Sequence, residues 1–192
     1  EWNANSAQGV WVTGGSMNTA RIHIQGAGTT ASSIAVGGEI PPGAVTGATE
    51  LYNGTAWAEV NDLNTARYGP GTAGTSSTSA LAFGGVNSVS AQVAVTESWN
   101  GTNWTEVNDM NTARSSMGSS GTKTSALAYG GVGTPREVAV CESWNGTSWT
   151  EVGDLNTARF SIGGAGVDNT SALAFGGENV PSPATAVTEL WN

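Results

Sequence analysis

The sequence is poor in cysteine, in basic residues and in long apolar runs. A single cysteine among 192 residues excludes an intrachain disulfide and a cysteine-built zinc cluster. Six basic residues against fifteen acidic ones give a net charge of -9, which disfavours nucleic acid as a partner. No uninterrupted apolar run exceeds five residues, whereas a membrane span needs about 20. We therefore expect a soluble chain without nucleic-acid binding or membrane insertion.

The residues that usually carry catalysis are equally scarce. His23 is the only histidine, so neither a metal triad of histidines nor a repeated acid-base pair can form. No Gly-x-Ser-x-Gly nucleophile elbow is present. Cys141 stands where the other units carry Thr49, Thr96 and Thr188, which indicates a small buried side chain rather than a nucleophile. We expect no enzyme activity, no metal and no cofactor.

Repetition dominates what is present. The tetrapeptide Asn-Thr-Ala-Arg ends at Arg21, Arg67, Arg114 and Arg159, at spacings of 46, 47 and 45 residues. A glycine pair follows each copy, and then a Glu-x-aromatic-Asn segment containing, in turn, Glu50, Glu97, Glu142 and Glu189. Four units account for the chain as a single domain, at approximately 18-63, 64-110, 111-155, and 156-192 plus 1-17.

Each unit predicts four short strands. Its apolar runs are rich in Val, Thr, Trp and Ala and are separated by Gly, Asn, Asp and Pro, with no helical periodicity. In Trp-Asn-Gly-Thr-x-Trp, Asn-Gly lies between two strand ends and predicts a tight hairpin that pairs the third and fourth strands. Four-stranded antiparallel units at this period are typical of a β-propeller, in which neighbouring blades share the core. We predict an all-β propeller of four blades.

The phase of the chain predicts how the ring closes. The sequence opens with the end of a third strand and a fourth strand, Val10-Trp11-Val12, and its last unit stops after a third strand. We therefore expect the N-terminal strand to complete the last blade, which removes a free sheet edge. A closed four-bladed ring is preferred to a fragment of a larger array, although residue 1 is Glu and the sequence is expected to begin after processing or inside a longer polypeptide.

The combination of a double glycine, a spaced aromatic and a lone Trp resembles kelch repeats. The resemblance covers all four units, although Trp2 and Trp11 in the first are nine residues apart, whereas the other units place their two aromatics five apart. The wording Trp-Asn-Gly-Thr-x-Trp-Thr-Glu-Val is also similar to repeat arrays of marine bacteriophage and environmental proteins. That second resemblance implies an extracellular or virion-associated setting, such as a phage fibre.

The repeated charged and aromatic residues have a structural interpretation. A residue that recurs in every blade answers a need of every blade, so the four Arg are expected to tie one blade to the next, with the four Glu as partners. A ring of Arg that binds an anion is the alternative. Packing between blades is the expected role of Trp11, Trp57, Trp104 and Trp149, with stacking on sugars as the alternative. The Asp-x-Asn pairs that begin at Asp62, Asp109 and Asp154 favour turns over calcium binding.

Two stretches differ between units and therefore carry the prediction of function. One connects the second and third strands, and the other directly follows each repeated Arg. Both lie at the same end of a four-stranded meander, so they converge on one face around the channel mouth. The predicted ligand-binding residues are His23, Tyr68, Phe160 and Arg136.

The sequence favours a non-enzymatic recognition or structural module that binds a glycan or a protein, as a subunit of a larger assembly. Two alternatives stay open. A lectin would need a matching sugar pocket in every blade, and a hydrolase or lyase would need clustered acids or His at the channel mouth.

Overall fold

The computed structural model describes residues 11-180 and 184-192. Within these residues it contains no helix and nineteen strands, which run in chain order as β1 Gln25–Thr29, β2 Ser32–Val36, β3 Glu39–Ile40, β4 Ala44–Val45, β5 Thr49–Tyr52, β6 Trp57–Val60, β7 Arg67–Tyr68, β8 Gly71–Ser76, β9 Ser79–Phe83, β10 Val86–Asn87, β11 Thr96–Trp99, β12 Trp104–Val107, β13 Gly118–Thr122, β14 Ser125–Tyr129, β15 Cys141–Trp144, β16 Trp149–Val152, β17 Gly163–Asp168, β18 Ser171–Phe175 and β19 Thr188–Trp191.

Four antiparallel sheets form the blades of a ring, which confirms the predicted four-bladed β-propeller. Blade 1 has the order β1-β2-β5-β6, and blades 2 and 3 repeat it with β8-β9-β11-β12 and β13-β14-β15-β16. Blade 4 has three strands among the described residues, β17-β18-β19. Two short ribbons, β3 with β4 and β7 with β10, lie outside the blades.

The Asn-Gly hairpins form as predicted. In blade 3, β15 and β16 pair in a register that sets Trp144 opposite Trp149. The Asn145 side chain accepts hydrogen bonds from the main-chain N–H groups of Thr147 and Ser148 at 2.9 Å, and Gly146 has a φ of 94°. A turn of this geometry needs a residue that tolerates positive φ, which glycine supplies without a steric penalty.

The innermost strands are rich in small residues because they converge on the channel. β1 packs against β8, β8 against β13, and β13 against β17. A Cβ on Gly164 would clash with the Tyr129 hydroxyl group and would lie 3.0 Å from the Ser119 carbonyl oxygen, so a larger residue at that position would force the third seam to shift. The core lies between the blades, in three clusters that centre on Trp99 with Trp104, Phe83 with Trp149, and Tyr129 with Cys141.

The structure differs from the sequence prediction at the N-terminal strand. Val10 lies outside the described residues, while Trp11 is fully exposed and Val12 is 80% exposed, and neither belongs to a strand. The reason lies in the fourth seam: β1 and β17 remain largely exposed, whereas the other seams are packed. The segment instead follows blade 1, since Asn18 bonds to Glu50.

Candidate functional site at the channel mouth

The four repeated Arg and four repeated Glu form one ion pair in each blade. Their Nη2 to Oε1 distances are 2.9 Å for Arg21 and Glu50, 3.2 Å for both Arg67 with Glu97 and Arg114 with Glu142, and 3.0 Å for Arg159 with Glu189. All four Arg side chains are fully buried. The cations therefore do not form a ring that faces the channel, which is what the anion-binding alternative requires.

Each ion pair fixes the chain segment that leads into the first strand of its own blade. The Glu97 carboxylate accepts hydrogen bonds from the main-chain N–H and the side-chain amide of Asn64, both at 2.7 Å. Arg67 donates to the carbonyl oxygens of Val95 at 3.1 Å and Ala82 at 3.2 Å. These bonds attach the segment that arrives from the preceding blade. They fix it to the second and third strands of the blade that it enters.

The link back to the preceding blade comes from the Arg main chain. In three of the four glycine pairs the second glycine donates its N–H to the carbonyl oxygen of the next unit's Arg at 2.9 Å, from Gly38 to Arg67, Gly85 to Arg114 and Gly131 to Arg159. The first glycine of the pair has a positive φ, 64° at Gly84, and a Cβ there would lie 2.5 Å from the Arg114 carbonyl oxygen. This contact explains the double glycine in the first three units.

Burial and hydrogen bonding act in opposite directions on these charges. Burial favours a raised pKa at Glu50, but hydrogen bonds from Asn18 and Thr19 and the charge of Arg21 outweigh it, so the pKa lies below its usual value. Burial lowers the pKa of Arg67, and Glu97 opposes that change. A guanidinium keeps its proton in proteins, so Arg67 stays charged at neutral pH despite its burial.

Two of the four Trp residues assigned to fourth strands lie in the seams. The Trp104 indole nitrogen donates to the Thr49 hydroxyl at 3.0 Å, and Trp149 does the same to Thr96 at 3.0 Å. Trp57 is half-buried against Tyr52, with ring centroids 5.1 Å apart. Trp11 is exposed. Two of the four Trp are therefore buried between blades in this structure.

The remaining candidate groups take part in local structure. Asp62, Asp109 and Asp154 each accept a main-chain N–H from the third strand of their own blade, at 3.1 to 3.3 Å. Burial raises the pKa of the Cys141 thiol to about 11, which keeps it protonated at neutral pH. In the described part of the chain, no three His, Cys, Asp or Glu side chains come together as a metal site requires.

A chain of left-handed residues surrounds the channel mouth. The residue two positions after each Arg has a φ between 52° and 57°, at His23, Gly69, Ser116 and Ser161. The last three donate their main-chain N–H groups to the carbonyl oxygen of the equivalent residue in the preceding blade: Gly69 to His23 at 2.9 Å, Ser116 to Gly69 at 3.0 Å and Ser161 to Ser116 at 2.8 Å. These bonds offset the cost of positive φ at residues other than glycine, and they join the four blades at one face.

A depression of about 400 Å³ opens at this face. Its polar lining consists of His23, Gln25, Tyr68, Ser116 and Ser161, and Met117 and Ile162 are among its apolar residues. The His23 and Tyr68 rings lie 5.6 Å apart at an interplanar angle of 38°. Hydroxyl and amide groups here lie beside the imidazole ring of His23 and the phenol ring of Tyr68. This combination suits a neutral ligand rich in hydroxyl groups.

The two variable stretches meet at this face, because their main chains pair. Tyr68 pairs with Val86, and equivalent bridges join Ile22 to Glu39, Ser115 to Val132 and Phe160 to Glu178. His23 is 58% exposed, and its Nδ1 lies 3.5 Å from a Glu39 carboxylate oxygen. This contact orients the imidazole toward Glu39, which lies on the connection between the second and third strands of blade 1.

The structure brings two of the four predicted ligand-binding residues together. His23 and Tyr68 share the depression. Phe160, at the same position of its unit as Tyr68, is half-buried and is not among the lining residues. Arg136 stands on the connection between β14 and β15, 59% exposed, with its Nε 3.5 Å from Glu137, and it is not part of the lining either.

Sequence reasoning did not single out Ser116 and Ser161. Both lie within the variable triplets after Arg114 and Arg159, so the signal was their place two residues after an Arg. Their left-handed conformation sets them in line with His23 around the channel. A serine in an irregular stretch carries no indication of that conformation.

Comparison with protein-family models and with curated proteins returns no match. No helix in the described residues is long and apolar enough to cross a membrane.

Proposed function

We propose that this propeller is a non-enzymatic recognition module that binds a glycan at the channel mouth. The observation that carries the proposal is the composite depression in which His23 and Tyr68 lie beside the hydroxyl groups of Ser116 and Ser161. Aromatic rings pack on the apolar faces of sugars while hydroxyl and amide groups exchange hydrogen bonds with them. A rigid ring of blades supports the site, which reduces the entropy lost on binding.

The same geometry favours one composite site over a lectin pocket in each blade. The equivalent left-handed positions carry three residue types, His23, Gly69, and serine at both Ser116 and Ser161, so the four blades do not offer four matching sugar pockets. The lining residues include no pair of carboxylates, the arrangement that a glycoside hydrolase needs. Recognition without turnover is therefore the reading that the channel mouth supports.

The setting that we propose is an extracellular or virion-associated assembly, such as a phage fibre. The support comes from the sequence, in which the Trp-Asn-Gly-Thr repeats resemble arrays of marine phage proteins and the double glycine resembles kelch repeats. A glycan-binding module fits that setting because attachment to a host surface needs recognition without chemistry.

A glycan-array screen of the whole chain tests the function, followed by calorimetric titration of the strongest hit. Tyr68→Ala and Ser161→Ala should each weaken that binding by about tenfold, as expected when a central contact worth roughly 1.4 kcal/mol is lost. Arg136→Ala is the matched control on the outer connection and should leave the affinity unchanged. Binding that Arg136→Ala abolishes and Tyr68→Ala leaves intact would place the site elsewhere, and an array without hits would refute the proposal.

A further inference from the structure

Three hairpin turns place an asparagine directly before a glycine. They are Asn53-Gly54, Asn100-Gly101 and Asn145-Gly146, and each joins the third and fourth strands of its blade. All three asparagines are exposed to solvent. Water therefore reaches the same pair of residues in three equivalent turns.

Two main-chain donors polarise the side-chain carbonyl of each of these asparagines. Oδ1 of Asn100 accepts the N–H groups of Thr102 at 2.9 Å and Asn103 at 2.8 Å. The equivalent distances are 3.0 Å for both donors at Asn53 and 2.9 Å for both at Asn145. Two N–H groups aimed at one carbonyl oxygen stabilise the negative charge that develops there when the carbonyl carbon is attacked. The turn therefore activates the asparagine Cγ as an electrophile.

A nucleophile lies in the same turn. The hydrogen bond from Thr102 to Asn100 closes a ring of atoms that contains both the Asn100 Cγ and the Gly101 nitrogen, which holds these two atoms near each other. In the described part of the chain, the Gly101 N–H and the Asn100 side-chain nitrogen donate no hydrogen bond to another group. Gly101 also has no side chain to hinder the approach of its nitrogen, and its φ of 97° suits glycine.

Two asparagines elsewhere in the chain show what each part of this arrangement contributes. Asn87 also has two main-chain donors at Oδ1, at 3.1 and 3.0 Å, but Ser88 follows it, so a side chain hinders the nitrogen. Asn64 donates from its side-chain nitrogen to Glu97 at 2.7 Å, which holds the group that would have to leave. The Asn-Gly hairpins combine an activated carbonyl, an unhindered nitrogen and a free leaving group.

We propose that Asn53, Asn100 and Asn145 are sites of spontaneous modification, at which the folded turn converts asparagine to aspartate and isoaspartate. The nitrogen of the following glycine gives its proton to hydroxide and forms a bond to Cγ. The tetrahedral oxyanion then re-forms its carbonyl as the Cγ–Nδ2 bond breaks, and Nδ2 takes a proton from water and leaves as ammonia. Water opens the resulting cyclic imide at either carbonyl carbon, so the conversion needs no cofactor and no oxidant.

The conversion changes the hairpin end of the ring in two ways. Each site gains a negative charge, in a chain whose net charge is already -9. Isoaspartate also adds a methylene group to the main chain, for example in the turn between the paired residues Trp144 and Trp149. The channel mouth lies at the opposite end of the blades, beside the connections between second and third strands, so this inference is independent of the proposed glycan site.

Mass spectrometry of the whole chain, incubated in its folded state at pH 7 and at pH 9, tests this proposal. Peptide mapping should locate the replacement of an amide by a hydroxyl group at Asn53, Asn100 and Asn145, with release of ammonia. Asn87 is the internal control, because it has the two donors without the glycine, and each hairpin should react about tenfold faster than Asn87. The rates should be higher at pH 9, since hydroxide removes the glycine proton.

Gly101→Ala confines the test to one turn. Its methyl group hinders the nitrogen, so modification at Asn100 should slow by about tenfold, while Asn53 and Asn145 in the same molecule react as before. Asn100→Gln moves the side-chain carbonyl away from that nitrogen and replaces Gly101→Ala if the latter does not give a folded chain by circular dichroism. The proposal would be overturned if the folded chain is not modified, if modification appears only in urea, if Asn87 reacts as fast as the hairpins, or if position 100 reacts at the parent rate in these variants.

Discussion

The indole nitrogen of Trp149 donates a hydrogen bond to the hydroxyl of Thr96 at 3.0 Å, across the seam between the second and third blades. Trp104 and Thr49 repeat the contact one seam earlier. The third and fourth strands of a blade are thus joined along the chain by a local hairpin, while a tryptophan on the fourth strand fastens that blade to its neighbour. This arrangement places much of the stability of the ring in a few large side chains.

Replacing Trp149 should therefore destabilise the protein strongly. Trp149→Ala removes a side chain that is 6% exposed and should lower the free energy of unfolding by about 3-5 kcal/mol. Thr96→Val leaves the indole N–H without its partner and should cost roughly 1-3 kcal/mol. Urea unfolding followed by circular dichroism measures both values. Trp11→Ala, which changes a fully exposed tryptophan, is the matched control and should change the value by no more than about 0.5 kcal/mol. A loss in Trp149→Ala no greater than that control would contradict the role of the seam.

The buried ion pairs give a second prediction. Arg114→Ala leaves the Glu142 carboxylate buried without its cation, and Glu142 also accepts a 2.7 Å bond from Asn111. Removal of one partner of a buried pair should cost about 3-5 kcal/mol in unfolding free energy. Arg114→Lys should not restore stability, because an ammonium has three N–H donors and cannot serve three carbonyl groups and a carboxylate at once.

Arg136→Ala provides the comparison for the ion pair, since that arginine is 59% exposed and its loss should stay within about 0.5 kcal/mol. Thermal unfolding in parallel gives the ranking of the three variants. Equal stabilities for Arg114→Ala and Arg136→Ala would show that the buried pair does not hold the blade together.

Acid should weaken the protein through Glu50. The pKa of this carboxyl lies below its ordinary value of 4.5 in the folded chain. The ionised carboxylate is therefore more stable in the folded protein than in the unfolded chain. The resulting stabilisation is present above the unfolded pKa and is lost as the pH falls through the folded pKa. Urea unfolding at several pH values between 7 and 3 should show this decline.

Glu50→Gln isolates the contribution of that one group. The variant should be less stable than the parent at pH 7. The difference should narrow as the pH drops from about 4.5, where the unfolded carboxyl takes up its proton, through the lower pKa of the folded state. A difference that stays constant over this range would mean that ionisation of Glu50 does not stabilise the fold.

The sequence by itself determined the blade and the number of blades. Asn145-Gly146 specifies its hairpin through local backbone preferences, and the recurrence of Arg114 with Glu142 in every unit marks a pair that each blade needs. Such features act over a few residues or repeat at a fixed period, so the one-dimensional pattern contains them. The all-β class and the four-bladed ring followed from the same repetition.

Only the tertiary structure decided the composition of the channel mouth. Tyr68 and Phe160 are equivalent in sequence, yet Tyr68 lines the depression beside His23 while Phe160 does not. Ser116 and Ser161 join the site through a left-handed conformation that hydrogen bonds from neighbouring blades support. These properties depend on how one blade meets the next, which no single unit encodes.

The fourth seam separates the two kinds of information most clearly. Trp11 has the spacing of a seam tryptophan, and the sequence pattern accordingly assigned it to blade 4. Its burial requires a neighbouring blade in contact, and β1 and β17 are largely exposed where the other inner strands pack. The repeat pattern specifies which residues each unit carries and at which strand positions. The packing of the whole ring decides which of those residues become buried between blades.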